Sequence, residues 1–210
     1  MVIICFDLDN TLINSIKAYH LALNLALKDF DLKEISFEKF GEFFGISNKA
    51  LLKNVYPKLH EDDIEDILKL RTKYYLHNTI KNIEVISGVK LTLGRLSKKN
   101  ILVILSNATH ERILSSLKQV GLDPKMFKFI LGQDDVGAEK PSIKGIQLIE
   151  NRLKKKIDYI VGDSVFDLMT GNKAKIKVIG VLSGANSREK LNKYKPYKII
   201  KDVSKLEEVI

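Results

Sequence analysis

Short apolar runs alternate with longer amphipathic segments along most of the chain. The runs are rich in β-branched residues and lack a regular polar residue at every second position, which is typical of strands buried on both faces. The predicted strands are Val2–Phe6, Ile101–Leu105, Phe129–Leu131, Tyr159–Val161, Val178–Leu182 and a weaker Lys198–Ile200. The predicted helices among them are Leu91–Lys99, Glu111–Val120 and Ser142–Leu153. This alternation predicts an α/β fold in which helices cover a Rossmann-like parallel sheet.

Residues that start or end helices stand at the limits of these segments. Thr109 can cap the helix after the second strand, because its hydroxyl can accept a hydrogen bond from a free amide of the first turn. Gly121 can close the same helix, since glycine adopts the left-handed conformation without strain. Pro141 suits the first position of the next helix, where no amide hydrogen is needed.

One stretch interrupts the alternation and has a helical pattern only. It covers residues 15–86, and its first apolar residues, Ile16 and Tyr19, stand at helical spacing. A stretch of about 70 residues is too long for one crossover connection. We therefore predict a Rossmann-like catalytic core of residues 1–14 and 87–210, with a helical cap inserted into it as a lid. The insertion follows the first strand, near the sheet edge where ligands of open α/β folds bind.

Composition changes this picture little. A chain of 210 residues, 45% of them apolar, can bury a hydrophobic core, and its length suits one domain that carries an insertion. Its apolar runs are far shorter than the roughly 18 residues that a membrane span requires. The single cysteine, Cys5, cannot form an intramolecular disulfide. No signal-peptide pattern follows Met1, so we expect a cytoplasmic protein with no membrane partner.

The net charge of +9 raises the question of a polyanionic partner. The 35 basic residues are scattered through the chain and interleaved with 26 acidic ones. Aromatic residues do not alternate with the basic ones, as they would in a groove that stacks bases. We therefore predict no nucleic-acid partner. The surplus of positive charge is compatible with a small anionic substrate.

Two carboxylates mark the end of the first predicted strand. Asp7 and Asp9 follow Phe6 and are separated by Leu8. Residues two apart at a strand end point to the same side, so this pair can share a metal ion or divide the roles of nucleophile and acid–base group. Such pairs also occur in ordinary turns, and the interpretation therefore depends on the other strand ends.

The next three predicted strands are also followed by polar residues. Parallel strands bring their carboxyl ends to one edge of the sheet. The polar residues are Ser106 and Asn107 after the second strand, Lys140 after the third, and Asp163 and Asp167 after the fourth. Carboxylates from different strands can hold Mg²⁺ through oxygen ligands. A lysine, a hydroxyl and helix N-terminal amides can neutralise a phosphoryl group.

In this order, the four segments resemble the motifs of the haloacid dehalogenase superfamily. They are DLDNT at residues 7–11, LSN at 105–107, EKP at 139–141 and GDSVFD at 162–167, and the resemblance extends over the whole chain. The inserted helices resemble the type 1 cap of phosphoglycolate phosphatase-like and β-phosphoglucomutase-like members. The resemblance implies a hydrolase with Mg²⁺ as its cofactor and a small phosphorylated metabolite as its substrate.

The resemblance also implies roles for the first motif. Asp7 is the expected nucleophile, which attacks phosphorus and forms an aspartyl-phosphate. Asp9 is expected to protonate the leaving oxygen and then to activate the water that hydrolyses the intermediate. Thr11 is expected to steady the loop through its hydroxyl. The expected metal ligands are the Asp7 carboxylate, the main-chain carbonyl of Asp9 and Asp163.

The other motifs are expected to act on the phosphoryl group. Ser106, the amide of Asn107 and Lys140 would bind its oxygens during transfer. Asp167 would orient Lys140 or a metal-bound water. An acid at Asp9 serves an alkoxide leaving group, and by family resemblance the dehalogenating branch does not keep this aspartate. The resemblance therefore favours a phosphatase.

Two further expectations concern details of the chain. Lys175 stands where the family pattern has a glycine that closes a helix, and because lysine tolerates a left-handed backbone poorly, we expect this helix to end differently. In the cap, Phe43, Phe44 and Gly45 form either ordinary packing or a loop that closes over the site. Ordinary packing is the favoured interpretation.

Two other functions remain open at this point. A phosphosugar mutase shares the four motifs but returns the phosphoryl group to a sugar instead of to water. A phospho-receiver module also places carboxylates, a hydroxyl and a lysine on a parallel sheet, but its phosphorylated aspartate lies on a later strand and it has no inserted cap. Phosphoglycolate, a sugar phosphate, a nucleotide and pyrophosphate are all compatible substrates, and the sequence does not predict an oligomeric state.

Overall fold

The structure of the protein is a computed structural model that describes residues 1–42 and 48–210. Phe43, Phe44 and Gly45, for which cap packing is predicted, lie outside the described residues. The chain divides into two compact units. The core unit consists of Met1–Asn14 and Glu84–Ile210, and the helical unit consists of Ser15–Ile83.

The core unit is built on a parallel sheet of six strands. The core unit has eight strands, of which six form this sheet. In chain order the eight strands are β1 (Ile3–Phe6), β2 (Ile13–Asn14), β3 (Glu84–Val85), β4 (Ile101–Leu105), β5 (Phe129–Leu131), β6 (Tyr159–Gly162), β7 (Lys177–Val181) and β8 (Lys198–Ile200). The sheet has the order β5-β4-β1-β6-β7-β8, whereas β2 and β3 form a separate antiparallel pair. All six predicted strands are present, and the predicted α/β fold class is confirmed.

The helical unit has a hydrophobic core of its own. Its helices are α1 (Ile16–Asp29), α2 (Phe37–Glu42), α3 (Asn48–Val55) and α4 (Glu61–Tyr74), followed by a π-helical turn at Tyr75–Thr79 and a 3₁₀ turn at Ile80–Asn82. Leu27 of α1, Leu52 of α3, and Ile64 and Ile67 of α4 are fully buried in this core. Within the described residues, no helix combines the length and the apolar character that crossing a membrane requires.

The core unit, all of whose residues are described, surrounds its sheet with six α-helices. These are α5 (Val89–Leu96), α6 (His110–Gln119), α7 (Gln133–Val136), α8 (Lys144–Leu153), α9 (Val165–Ala174) and α10 (Arg188–Asn192). Val103 of β4 and Ile160 of β6 pack in one apolar cluster with Ile149 of α8 and Leu168 of α9. All residues of β1 are buried because this strand lies in the middle of a sheet covered on both faces.

The strand order creates a topological switch point in the middle of the sheet. The chain passes from β1 to β4 and β5 on one side, and from β6 to β7 and β8 on the other. Neighbouring strands β1 and β6 therefore have connections that leave in opposite directions. Ligands of open α/β sheets bind at the carboxyl ends of such strands. Asp7 follows β1 and Asp163 follows β6.

Both predicted ends of α6 are confirmed. The Thr109 side chain accepts a hydrogen bond from Arg112 N and thereby caps the first turn. Gly121 follows the helix in the left-handed conformation, with φ 66°. The observed helix is shifted by one residue from its predicted range, a difference no larger than the usual variation of helix boundaries.

The prediction that Pro141 begins a helix is wrong. Helix α8 begins at Lys144, three residues later. Ser142 N donates a hydrogen bond to Glu139 O, so residues 139–142 form a turn of their own before the helix. Proline lacks an amide hydrogen and is equally suited to such a turn.

The expectation for Lys175 is also wrong. This residue ends α9 in the left-handed conformation, with φ 58° and ψ 39°. Lys175 N donates to Asn172 O, and Ile176 N donates to Gly171 O. These bonds satisfy carbonyls at the end of the helix, which offsets the steric cost of a side chain in that conformation.

Candidate active site

The predicted site residues lie at the carboxyl edge of the parallel sheet. Asp7 follows β1, Ser106 follows β4 and Asp163 follows β6, so three adjacent strands each deliver a polar side chain. Lys140 comes from the loop between α7 and α8, and Asp167 from the first turn of α9. All five residues are buried. Burial of so many polar groups requires that they pair with one another or with a ligand.

Lys140 lies between two carboxylates. Its Nζ donates to Asp7 Oδ1 and to Asp167 Oδ1, each at 2.6 Å, and both are charge-assisted hydrogen bonds. Asp163 belongs to the same cluster, since carboxylate oxygens of Asp7, Asp163 and Asp167 lie within 4.8 Å of one another. The cluster therefore contains three carboxyl groups and one ammonium group, and it has an excess of negative charge when all three carboxyl groups are ionised.

Burial shifts the pKa values of these groups. Burial raises the pKa of Asp7 to about 7, against the opposing effect of Lys140. Burial, and then the charges of Asp7 and Asp167, raise the pKa of Asp163 well above its usual value. Burial on its own lowers the pKa of Lys140, but Asp167 and Asp7 outweigh it and raise this pKa above its usual value. Lys140 therefore stays charged, and a further cation would favour the ionised carboxylates.

The loop after Asp7 is attached to the fourth motif. Asn10 has a left-handed backbone conformation, with φ 58°, and its main-chain N donates a hydrogen bond to Ile13 O. Thr11 is fully buried, and its hydroxyl donates to Asp163 Oδ1 at 3.3 Å. This hydrogen bond is compatible with the role predicted for Thr11, which is to steady the loop.

Asn107 fixes the loop that carries Lys140. Its Oδ1 accepts a hydrogen bond from Lys140 N at 2.7 Å, and its Nδ2 donates to Lys140 O at 3.2 Å. Ser106 Oγ accepts a hydrogen bond from Ala108 N at 3.2 Å. The side chain of Asn107 thus positions Lys140, which was not predicted. Binding of phosphoryl oxygens by Ser106 and by the Asn107 amide stays a prediction.

The carboxylate cluster fits a hard divalent cation. Asp7, Asp163 and Asp167 offer carboxylate oxygens, which are the ligands that Mg²⁺ prefers. Glycines leave the room that the carboxyl groups occupy: a β-carbon at Gly162 would overlap the Asp167 carboxyl group, and one at Gly184 would overlap Asp163 Oδ2. The excess of negative charge in the cluster also favours a bound cation.

Arg112, which was not among the predicted site residues, contacts Asp9. Arg112 Nη2 lies 2.6 Å from Asp9 Oδ2, and Nη1 lies 3.2 Å from Asp9 Oδ1. The side chain of Arg112 is 4% exposed and that of Asp9 is 19% exposed, so the pair is largely shielded from water. Two parallel hydrogen bonds fix the plane of the carboxylate. The signal in the sequence is a cation in the first turn of a helix, where the helix dipole disfavours it.

The loop after β7 is a second segment that was not predicted. Ser183 Oγ donates to Asn10 O at 2.6 Å. Gly184 lies against the Asp163 carboxylate, and Asn186 Nδ2 donates to Asp163 O at 3.2 Å. The loop therefore contacts both the first and the fourth motif. It follows the carboxyl end of a parallel strand, the position that identified the other site segments.

The order of these motifs can be compared with known families. The family model described as haloacid dehalogenase-like hydrolase matches residues 4–181, which include all four motifs. The chain belongs to this family. The resemblance drawn from the sequence is therefore confirmed, and this haloacid dehalogenase-like hydrolase is an enzyme.

Two relatives of this hydrolase have named activities. The phosphoglycolate phosphatase of Aquifex aeolicus is 32% identical over 192 residues, which are 88% of this chain and 86% of the relative. Pyrophosphatase PpaX of Bacillus pumilus is 28% identical over 205 residues, which are 97% of this chain and 93% of the relative. The similarity therefore extends over nearly the full length of both proteins.

Solved structures share the fold of this hydrolase. A haloacid dehalogenase-like hydrolase of Bacteroides fragilis has a TM-score of 0.89 at 24% identity, covering 98% of this chain and 99% of that chain. A predicted phosphoglycolate phosphatase of Haemophilus somnus has a TM-score of 0.84 at 26% identity, covering 99% of this chain and 96% of that chain. The fold is thus the family's fold over both units.

The raised pKa values of Asp7 and Asp163 lead to a prediction for the metal-free protein. In the unfolded chain both pKa values are about 4. Between pH 4 and 7 these two groups therefore bind more protons in the folded protein than in the unfolded chain, and their contribution to stability falls as the pH rises. Asp163→Asn removes one of the charges. With EDTA at pH 7, we expect its Tm to exceed that of the wild type by roughly 2–4 °C, the shift that about 1 kcal/mol produces at this length.

Thermal unfolding from pH 4 to pH 8 measures this effect. The wild-type Tm should decline with pH more steeply than that of Asp163→Asn, and added Mg²⁺ should raise the Tm of the wild type far more than that of the variant. Asp62→Asn is the control, because Asp62 is an exposed carboxylate in the helical unit and its loss should leave the profile unchanged. A lower Tm of Asp163→Asn than of the wild type, with EDTA at pH 7, would show that the buried carboxyl group at position 163 does not destabilise the metal-free protein.

Proposed function

We propose that this hydrolase is a Mg²⁺-dependent phosphatase, which cleaves a small phosphomonoester through an aspartyl-phosphate at Asp7. The observation that carries the proposal is the buried cluster at the switch point, where Asp7 contacts Lys140 and lies beside Asp163 and Asp167. A carboxylate nucleophile, a fixed ammonium group and oxygen ligands for a divalent cation are the groups that this kind of phosphoryl transfer requires.

In the first step, a carboxylate oxygen of Asp7 attacks phosphorus and the bond from phosphorus to the leaving oxygen breaks. Asp9 gives its proton to that oxygen, so an alcohol departs instead of an alkoxide. Arg112 holds the Asp9 carboxyl group by two hydrogen bonds, which limits its orientations. The step leaves a phosphoryl group on Asp7 and an ionised Asp9.

In the second step, the ionised Asp9 accepts a proton from water as the water oxygen attacks phosphorus. The bond between Asp7 and phosphorus breaks, and inorganic phosphate is released. Asp9 is then protonated again and Asp7 is a free carboxylate. The two steps therefore return both residues to their starting states.

Groups around Asp7 balance the negative charge of the reaction. The carboxylates of Asp7 and Asp163 and the main-chain carbonyl of Asp9 would hold Mg²⁺. When bound, the cation would neutralise part of the negative charge on the phosphoryl oxygens. Lys140 is 2.6 Å from Asp7 and is placed to contact a phosphoryl oxygen attached there. Asp167 holds Lys140 in this position through its own 2.6 Å hydrogen bond.

Relatives support a small anionic substrate. The two relatives are named for phosphoglycolate and pyrophosphate, and each of these molecules carries a further anionic group beside the transferred phosphoryl group. We include both as first candidates for this hydrolase: phosphoglycolate is a phosphomonoester, and pyrophosphate is a phosphoanhydride whose leaving group is phosphate instead of an alcohol. Neither relative is named as a mutase, and the phosphosugar mutase is not the function that we propose.

A substrate panel tests the proposal. Phosphate release is measured with phosphoglycolate, pyrophosphate, sugar phosphates and nucleoside monophosphates, with Mg²⁺ and with EDTA, and substrates are ranked by kcat/KM. We expect Mg²⁺-dependent release from at least one of them. The proposal fails if folded protein releases no phosphate from any member. Isomer formation from a sugar phosphate primed with its bisphosphate, without phosphate release, would identify a mutase instead.

Arg112 provides a further prediction. Arg112→Met removes both hydrogen bonds to Asp9. We expect kcat to fall by roughly 10- to 100-fold with little change in KM, because the proposed acid–base group loses its fixed orientation while substrate binding is unaffected. Arg112→Lys keeps the charge without the two-point contact and should lose less. Steady-state kinetics on the best substrate of the panel measure both variants. Wild-type kcat in Arg112→Met would show that Asp9 works without this contact.

A further inference from the structure

Asn186 carries a buried hydrogen-bond acceptor that has no partner among the described residues. The residue is 4% exposed and lies in the loop after β7. Its Nδ2 donates to Asp163 O at 3.2 Å, whereas Oδ1 has no donor within hydrogen-bond distance in the part of the chain that the structure describes. Chemistry fixes the orientation of the Asn186 side-chain amide. The main-chain oxygen of Asp163 can accept a hydrogen bond only from the NH₂ group, so Nδ2 and not Oδ1 must face it.

The loop that carries Asn186 lies against the proposed metal ligands. Gly184 is so close to Asp163 Oδ2 that a β-carbon there would overlap it. Ser183 Oγ donates to Asn10 O, in the loop that follows Asp7. Buried acceptors in native proteins are almost always bonded to protein or to an ordered water. The donor that Asn186 Oδ1 requires therefore belongs to this buried region.

We propose that Asn186 is a positioning residue of the metal site, in which Nδ2 anchors the main chain of Asp163 and Oδ1 accepts a hydrogen bond from a metal-bound water. The inference rests on the Mg²⁺ dependence proposed above. Mg²⁺ keeps several of its waters when it binds to proteins, so such donors are present. A cation also polarises the O–H bonds of its waters, which makes them strong donors.

The test measures metal binding without substrate. Dissociation constants for Mg²⁺ come from calorimetry and those for Mn²⁺ from electron paramagnetic resonance. Asn186→Ala should bind either cation about 10-fold more weakly or worse, since such outer partners commonly change metal affinity 10- to 100-fold. Asn186→Asp keeps an acceptor in place of Oδ1, loses the donor to Asp163 O and adds a negative charge beside the cluster, so it should bind more tightly than Asn186→Ala.

Asn172→Ala is the control for the loss of an asparagine that bonds a main-chain carbonyl, at an exposed position. Asn172 lies in the last turn of α9, and its Nδ2 also donates to a main-chain carbonyl, that of Tyr194, at 2.6 Å. Its removal deletes the same kind of side chain and hydrogen bond away from the carboxylate cluster. The control should bind Mg²⁺ like the wild type. Circular dichroism verifies folding, and Asn186→Ser replaces Asn186→Ala, with the same expectation, if the alanine variant does not fold.

Several results would overturn the inference. Unchanged affinity in Asn186→Ala shows that Asn186 does not support the metal. Equal losses in Asn186→Ala and Asn186→Asp would show that Oδ1 has no role in metal binding. An equal loss in Asn172→Ala would attribute the effect to the loss of any such asparagine hydrogen bond, and not to the position of Asn186. A wild type that binds neither cation overturns the proposed Mg²⁺ dependence as well. A wild type that binds Mg²⁺ but releases no phosphate leaves this inference standing and rejects the phosphatase alone.

Discussion

Asp7→Asn should abolish turnover, with kcat lowered about 10⁴-fold or more, because an amide cannot form the phosphorylated intermediate. The substitution keeps the shape of the side chain. It also removes a buried carboxyl group whose pKa is raised to about 7, so the variant should fold. Phosphate release with Mg²⁺ on the best substrate of the panel measures the loss, and thermal unfolding confirms that the protein is intact.

Asp123→Asn is the control for this variant. Asp123 is an exposed carboxylate of the core unit, between α6 and β5, and its side chain accepts a hydrogen bond from Lys125 N. Asparagine serves equally well at this capping position, so the control should retain wild-type kcat. Turnover of Asp7→Asn within about tenfold of the wild type would remove Asp7 from the role of nucleophile, because loss of an essential nucleophile costs far more.

Lys140→Met should lower kcat roughly 10²- to 10³-fold, because a fixed cation beside the transferred phosphoryl group is lost. It should also lower the free energy of unfolding by about 3–5 kcal/mol, the usual cost of breaking a buried ion pair from one side. Asp7 and Asp167 would both lose the ammonium group that lies 2.6 Å from each of them. Kinetics over a pH range and denaturant unfolding measure the two effects.

A double variant separates stability from chemistry at Lys140. Lys140→Met combined with Asp167→Asn removes the cation together with one of its two carboxylate partners. Stability should recover in part, because one fewer buried charge is left unpaired, whereas kcat should stay as low as in the single variant. Recovery of kcat along with stability would mean that Lys140 supports the fold and has no part in phosphoryl transfer.

The sheet was predictable because each of its strands is a short, buried apolar run. Such runs are typical of strands that are covered on both faces of a parallel sheet. The six predicted strands agree with the structure within one residue at each end. Helix ends were less predictable. Pro141 forms a separate turn, and Lys175 takes a left-handed conformation that hydrogen bonds after α9 stabilise. Both depend on main-chain contacts that spacing along the sequence does not reveal.

The placement of the motifs was predictable for a similar reason. Parallel strands bring their carboxyl ends together, so Asp7, Lys140, Asp163 and Asp167 could be expected at one edge from their positions alone, and the structure brings them into one cluster. The loop after β7 also follows the carboxyl end of a parallel strand. It was not predicted as part of the site, because it matches none of the four motifs. Only the folded structure joins Arg112 to Asp9, since 103 positions separate them.

The aspartyl-phosphate is tested most directly with Asp9→Asn and p-nitrophenyl phosphate. The p-nitrophenolate ion leaves without a proton, so Asp7 can still be phosphorylated, whereas hydrolysis of the intermediate lacks its base. We predict a burst of about one equivalent of p-nitrophenolate per enzyme, a slow steady state, and a phosphoryl group on Asp7 in acid-quenched peptides by mass spectrometry. Absence of both the burst and the phosphorylated Asp7, with the wild type active on this substrate, would contradict the mechanism.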